Sequence, residues 1–214
     1  MKAILLTRKP NTACNILNGN VTIDILKDMR TANAIRKLIT KYGKARIYVA
    51  VSKSKPYLYK SYEDNGGLAE NGTLKEWVEY GISNVLIDDN CIHLLNDKVA
   101  FMFDCEKIEE IECVSVGDSD YGNLCADVEY RTETLSEKEL LQKSCFSGDD
   151  VFEYLEEDLD KIGYAIHISN LTKFDRPKEI IEFDKALSIK NNPNLKLLVN
   201  LTKAPKKFAY VEVE

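Results

Sequence analysis

The chain has 214 residues, 44% hydrophobic and 30% charged, with a net charge of −6 and a pI near 5.2. That length and composition suit a globular protein with a real core, and no apolar run approaches the roughly 20 residues of a membrane span. The six cysteines never form a C-x-x-C pair, which argues against a zinc finger or a redox motif.

The opening stretch MKAILLTRKPN has too short an apolar run for a signal peptide, and Ala3–Thr7 reads as a buried strand. Pro10 to Asn18 reads as a short helix with Ala13, Ile16 and Leu17 on one side and Gly19 as its stop. Val21–Leu26 alternates apolar and polar residues, the pattern of a half-buried strand with Thr22 and Asp24 on the outer face. Thr31 is placed to cap a helix that runs to Tyr42 and ends at Gly43, with an apolar stripe of Ile35, Leu38, Ile39 and Tyr42. Ala45–Ser52 is a third strand. Lys53 to Gly72 is polar and rich in Tyr and Gly, hence a loop, and Thr73 with Glu76 starts a short helix carrying Trp77.

Lys98–Cys105 and Ile108–Val116 read as strands separated by a turn at Glu106-Lys107. Ser136-x-x-Glu139 and Ser147-x-x-Asp150 are capping signatures, the second for a helix carrying Phe152, Leu155, Leu159 and Ile162. Tyr164–Leu171 is a strand, Lys185–Asn194 a loop, and Phe208–Val213 a closing strand. Strands at both ends point to a sheet that closes on itself. The absence of a Pro- or Ser-rich linker points to one domain over 1–214, with helical insertions near 31–42, 73–80 and 136–162.

Charge is divided sharply along the chain. Residues 1–60 carry thirteen Lys/Arg against two acids, whereas 104–160 carry nineteen acids against four basic residues. Between Lys27 and Lys60 ten cations are interleaved with Tyr42, Tyr48, Tyr57 and Tyr59. Cations neutralise phosphates and aromatic faces stack bases, so the mixture suits RNA or another single-stranded nucleic acid. The candidate contacts are Thr22, Lys27, Arg30, Lys37, Lys41, Lys44, Arg46, Lys53, Lys55, Tyr57 and Tyr59, and the cations should form one positive surface beside a cleft holding Asp24. Lys173, Arg176, Lys178, Lys203, Lys206 and Lys207 extend that surface if the fold brings the chain ends together. The same cations also fit a solvated helix face and a Lys-rich loop. Two histidines and no clustered cysteines point to no transition-metal site, and no cofactor is called for.

The opening ILLTRKPNTACNILNGNVTIDILKDMR, the strand RIYVAVSK, the segment NDKVAFMFDCEKIEEI and the pair YAIHISNLTKFDRPKEIIEF and LTKAPKKFAYVEV resemble, in this order, the ASCH domain. The closing pair is similar to a subgroup common in low-GC bacteria and their phages. The resemblance implies an α+β fold, a PUA-like mixed and partly closed β-barrel, and a family that spans RNA binders, ribonuclease-like members and an amidohydrolase. Its motif Gly-x-Lys-x-x-Glu-x-Arg keeps Gly19, but the Lys falls on Val21, the Glu on Asp24 and the Arg on Leu26. A valine holds no proton, so the reading leans away from an enzyme. Asp24, Lys27 and His167 remain as candidates for a rebuilt hydrolase site on a nucleoside or RNA, with Thr22 nearby. His167 reads first as a hydrogen-bonded barrel histidine, with a ligand contact or general base in the barrel mouth as the alternative. A third reading takes the acidic segment as a face for a host protein, in a regulatory factor of phage type. In every reading the expected setting is the cytoplasm, with no membrane partner.

Overall fold

The computed structural model describes residues 2–17, 19–52, 59–61, 68–70, 97–116, 127–155, 162–189 and 192–212. They form an α+β structure dominated by strands. Strand β1 (Lys2–Arg8) is central: Ala3, Ile4 and Leu5 are fully buried and Leu6 nearly so, which uses both faces of the pleat. Helix α1 (Pro10–Leu17) follows, with Ala13, Ile16 and Leu17 buried as its spacing predicts. Gly19 ends this segment at φ 74°, its N–H donating to the Ile16 carbonyl at 2.9 Å.

Strand β2 (Ile23–Leu26), helix α2 (Met29–Tyr42) and strand β3 (Ala45–Val51) come next. Residues 53–72 are expected to be a loop, yet two short strands, β4 (Tyr59–Ser61) and β5 (Leu68–Glu70), pair antiparallel there. The helix expected at 73–80, Trp77 and His93 lie outside the described residues. Strands β6 (Lys98–Cys105), β7 (Ile108–Val116) and β8 (Asp127–Arg131) lead to helices α3 (Glu137–Ser144) and α4 (Gly148–Tyr154). The two capping signatures each form a reciprocal box, Ser136 with Glu139 and Ser147 with Asp150. Strands β9 (Gly163–His167), β10 (Ser169–Glu179), β11 (Asp184–Ile189), β12 (Asn192–Asn200) and β13 (Phe208–Glu212) complete the order. The loop expected over 185–194 is largely strand: Ala186 faces Leu198 and Leu187 faces Leu197, so antiparallel pairing of two consecutive strands overrides the loop-like composition.

The described residues group into two compact units, 1–19 with 46–104 and 170–214, and 20–45 with 105–169. The sequence carries no linker signal because the chain passes between them inside continuous structure, as at Ala45/Arg46 within β3.

The first unit is built on a mixed sheet of order β10-β6-β3-β1-β13-β11-β12. Here β1 runs parallel to β3 and antiparallel to β13, with Lys2 opposite Glu212 and Leu6 opposite Phe208. The two end strands of the sequence are thus neighbours, as expected. The sheet is open among the described residues, with β10 and β12 at its edges, so the expected barrel closure is not found there. Leu5, Tyr48, Val99, Ile180, Phe183 and Val211 pack together, the Phe183 ring edge-on to Tyr48 at 5.1 Å.

The second unit is a four-stranded sheet, β2-β9-β7-β8. One face carries Ile23, Ile25, Ile111, Cys113, Tyr130 and Ala165, against which Leu140, Val151 and Leu155 of the α3–α4 region pack. Each buried Ile, Val or Leu side chain among them contributes about 1.5–3 kcal/mol. The Tyr130 hydroxyl donates to the Gly148 carbonyl at 2.6 Å. The opposite face meets α2, where the Arg36 guanidinium donates to Glu110 at 2.8 Å and lies 5.3 Å from the centre of the Tyr164 ring. Covered on both sides, β2 is fully buried rather than half-buried. The helix expected to reach Ile162 stops at Tyr154, and Ile162 is 39% exposed. No helix among the described residues is long and apolar enough to cross a membrane.

Candidate nucleic-acid interface

Helix α2 supplies three of the candidate cations, Arg30, Lys37 and Lys41. Its start is set by Asp28, whose carboxylate accepts from the Thr31 N–H at 3.0 Å and from the Thr31 hydroxyl at 2.5 Å. Asp28 is therefore the cap and Thr31, expected in that role, is buried. Such a cap is worth about 1 kcal/mol. Gly43 ends the helix at φ 77°, its N–H donating to the Ile39 carbonyl at 2.8 Å.

Thr31, Ala32, Ala34, Ile35 and Leu38 are the buried side of α2. Arg30, Asn33, Lys37, Thr40 and Lys41 are exposed, at helical spacings that put them along one side. The helix contains no carboxylate over its 14 residues. Asn33, Arg36, Lys37, Thr40 and Lys41 line a shallow depression of about 380 Å³. Tyr42, expected in the apolar stripe, is instead 41% exposed, with the Lys41 ammonium 4.9 Å from its ring centre. Lys44 follows, partly exposed.

The other candidates scatter. Thr22 and Lys27 are exposed, and the Lys27 ammonium sits 5.3 Å from the Tyr154 ring centre. Arg46 lies in β3 of the other unit and donates from Nε to Asp104 at 3.1 Å. That hydrogen bond holds the Arg46 pKa above its usual value, and Asp104 is itself buried, so this pair belongs to the sheet. Lys53, Lys55 and Tyr57 lie outside the described residues, and Tyr59 lies in β4.

Asp24 does not line an open cleft: it is 3% exposed, under α2. Register separates it from His167, because Ile23 faces His167 while Asp24 faces Ile166 on the opposite side of the sheet. Lys27 lies four residues beyond Ile23, about 13 Å along the strand at its usual rise. The candidate catalytic set Asp24, Lys27 and His167 is not brought together.

His167 instead joins a cluster that sequence reasoning missed. Its Nε2 is 2.6 Å from Oε1 of Glu109, a carboxylate whose side chain is fully buried. Thr134 donates to the same carboxylate through its N–H at 2.7 Å and its hydroxyl at 2.9 Å, and the Lys107 ammonium is 3.1 Å away. Burial, the largest single influence, opposes ionisation, but the donors Lys107, Thr134 and His167 together outweigh it and lower the Glu109 pKa to about 2. Strand alternation carries a signal for this residue: Glu109 shares a face with the buried Ile111 and Cys113. Nearby, burial pushes the Cys105 thiol up to about 12, and the thiol donates to the Lys107 carbonyl at 3.1 Å, so it is no nucleophile at neutral pH.

No protein-family model matches the chain, and the search of curated proteins returns no match.

Proposed function

We propose that this chain binds single-stranded nucleic acid, RNA foremost, through the exposed side of α2. One observation carries the reading: Arg30, Lys37 and Lys41 line up on a helix with no carboxylate, with the donors Asn33 and Thr40 between them. Cations in that arrangement neutralise successive phosphates, while amide and hydroxyl groups donate to the phosphate oxygens. Tyr42 at the helix end offers an exposed ring on which an unpaired base can stack, worth about 1–3 kcal/mol. On this reading the chain is a divergent, cytoplasmic protein of the ASCH type, with a PUA-like scaffold and without the family's catalysis.

The hydrolase reading has less support, since Asp24 is buried and stands apart from Lys27 and His167. The acidic-face reading is weakened by the acids already engaged within the unit. Glu110 pairs with Arg36, Glu129 with Arg131, and Glu139 and Asp150 close capping boxes.

Filter binding of RNA at two salt concentrations tests the proposal. Binding that weakens steeply as salt rises is expected. Absence of binding at low salt, or a salt-independent signal, overturns it.

A further inference from the structure

Arg36 stands apart from the candidate cations of α2, because it is tied to the sheet and to the α2 depression at once. Its Nη2 donates to Glu110 Oε1 at 2.8 Å, and its guanidinium carbon lies 5.3 Å from the centre of the Tyr164 ring. Glu110 on β7 and Tyr164 on β9 are directly opposed, so one cross-strand pair supplies both contacts. Tyr164 is buried, which makes its ring a fixed platform for the guanidinium. The same arginine lines the depression together with Asn33, Lys37, Thr40 and Lys41. All of these residues belong to the second unit.

The pair with Glu110 is weakly held. The Arg36 and Glu110 side chains are 35% and 43% exposed, and an ion pair this open to water shifts an equilibrium by at most about fivefold. The hydrogen bond to Glu110 leaves from a single nitrogen of a group that carries five N–H donors. A phosphate takes two of those donors in parallel, which is the stronger arrangement. In the depression it also meets the ammonium groups of Lys37 and Lys41. The balance therefore favours a phosphate over the Glu110 carboxylate.

We infer that Arg36 grips a backbone phosphate in the α2 depression and that Glu110 is an internal stand-in for that phosphate, displaced when nucleic acid binds. The inference rests on the α2 reading for its nucleic acid, whereas the anion site itself needs only a phosphate group. Glu110 positions the guanidinium in the free protein and competes for it, so the carboxylate restrains affinity. The planar fork matters as much as the charge, and lysine cannot replace it.

The test uses the full-length chain and fluorescence anisotropy with a labelled oligouridylate at about 50 and 200 mM salt. Glu110→Gln, Arg36→Lys and the control Glu112→Gln are compared, with thermal unfolding to show that each is folded. Glu112 is exposed on the same strand, so its variant removes an equal charge while leaving the Arg36–Glu110 pair in place. Glu110→Gln should bind up to about fivefold more tightly, with a log-affinity against log-salt slope steeper by up to about 0.7, the value for one freed cation. Arg36→Lys keeps the charge and loses the fork, so it should bind at least about fivefold more weakly at an unchanged slope. A second arm titrates inorganic pyrophosphate and follows the Arg36 Nε–H resonance by NMR, which should move at lower pyrophosphate concentration in Glu110→Gln. RNA binding unaltered in Glu110→Gln and Arg36→Lys, yet weakened in Lys37→Ala/Lys41→Ala, overturns this inference and leaves the α2 reading standing. Equal tightening in Glu112→Gln reduces the effect to overall charge and also overturns it. A pyrophosphate response at Arg36 without RNA binding supports the anion site and overturns the nucleic-acid reading. No response to either ligand overturns both.

Discussion

His167 Nε2 and Glu109 Oε1 stand 2.6 Å apart, and the carboxylate of the pair is wholly shielded from solvent while the imidazole is partly open. A buried anion of this kind is held by its donors, so removing either the anion or its donors has a definite cost.

Glu109→Ala should destabilise the fold by about 3 kcal/mol, because it strips Lys107, Thr134 and His167 of a shared acceptor. Urea unfolding measures this, and a loss below about 1 kcal/mol contradicts the role given to the cluster.

Acid should act through the same residue. The folded-state pKa of Glu109, about 2, lies below its ordinary value of 4.5. The stabilisation is therefore complete above about pH 4.5 and drains away as pH falls toward 2. The span corresponds to about 3 kcal/mol. Urea midpoints between pH 6 and pH 3 should fall in the native chain and fall less in Glu109→Gln. Parallel curves would place the acid sensitivity elsewhere.

Lys37→Ala/Lys41→Ala should lower the salt slope of RNA binding by about 1.4, with little change in unfolding temperature. An unaltered slope would remove α2 from the interface.

Arg46→Met should behave in the opposite way. Taking the guanidinium from buried Asp104 should cost about 2–4 kcal/mol of stability and leave the salt slope of RNA binding unchanged. A change in slope without a loss of stability would return Arg46 to the nucleic-acid contacts.

Gly163→Ala tests packing in the second unit. A Cβ there meets both Leu155 methyl groups at 3.2 Å and Ile111 Cβ at 3.3 Å. Overpacking of about 1–3 kcal/mol should follow, read as a lower thermal midpoint. A variant as stable as the native chain would show that Leu155 moves aside at no cost.

The sequence made the local features legible. Caps at Ser136 and Ser147 and the stop at Gly43 depend on neighbours a few residues away, and the strands at 98–105 and 108–116 announce themselves by their apolar runs. What it concealed depends on distant partners. Asp24 looks outward by alternation, yet α2 covers that face as well. Glu109 looks like one more acid in an acidic block, because Thr134 and His167 lie 25 and 58 residues further on. The strands over 184–200 were hidden because their polar composition looks like a loop, while pairing with each other, and of Asp184 with Glu212, makes them strands.

The place of β1 in its sheet has a consequence for synthesis of the chain. Its parallel neighbour β3 is complete by Val51, but its other neighbour begins only at Phe208. At a translation rate of roughly 5–20 residues per second, that side of Ala3–Leu6 waits about 10–30 s for its partner. During that interval an apolar strand presents an open edge, the kind of surface on which nascent chains join one another or recruit a chaperone.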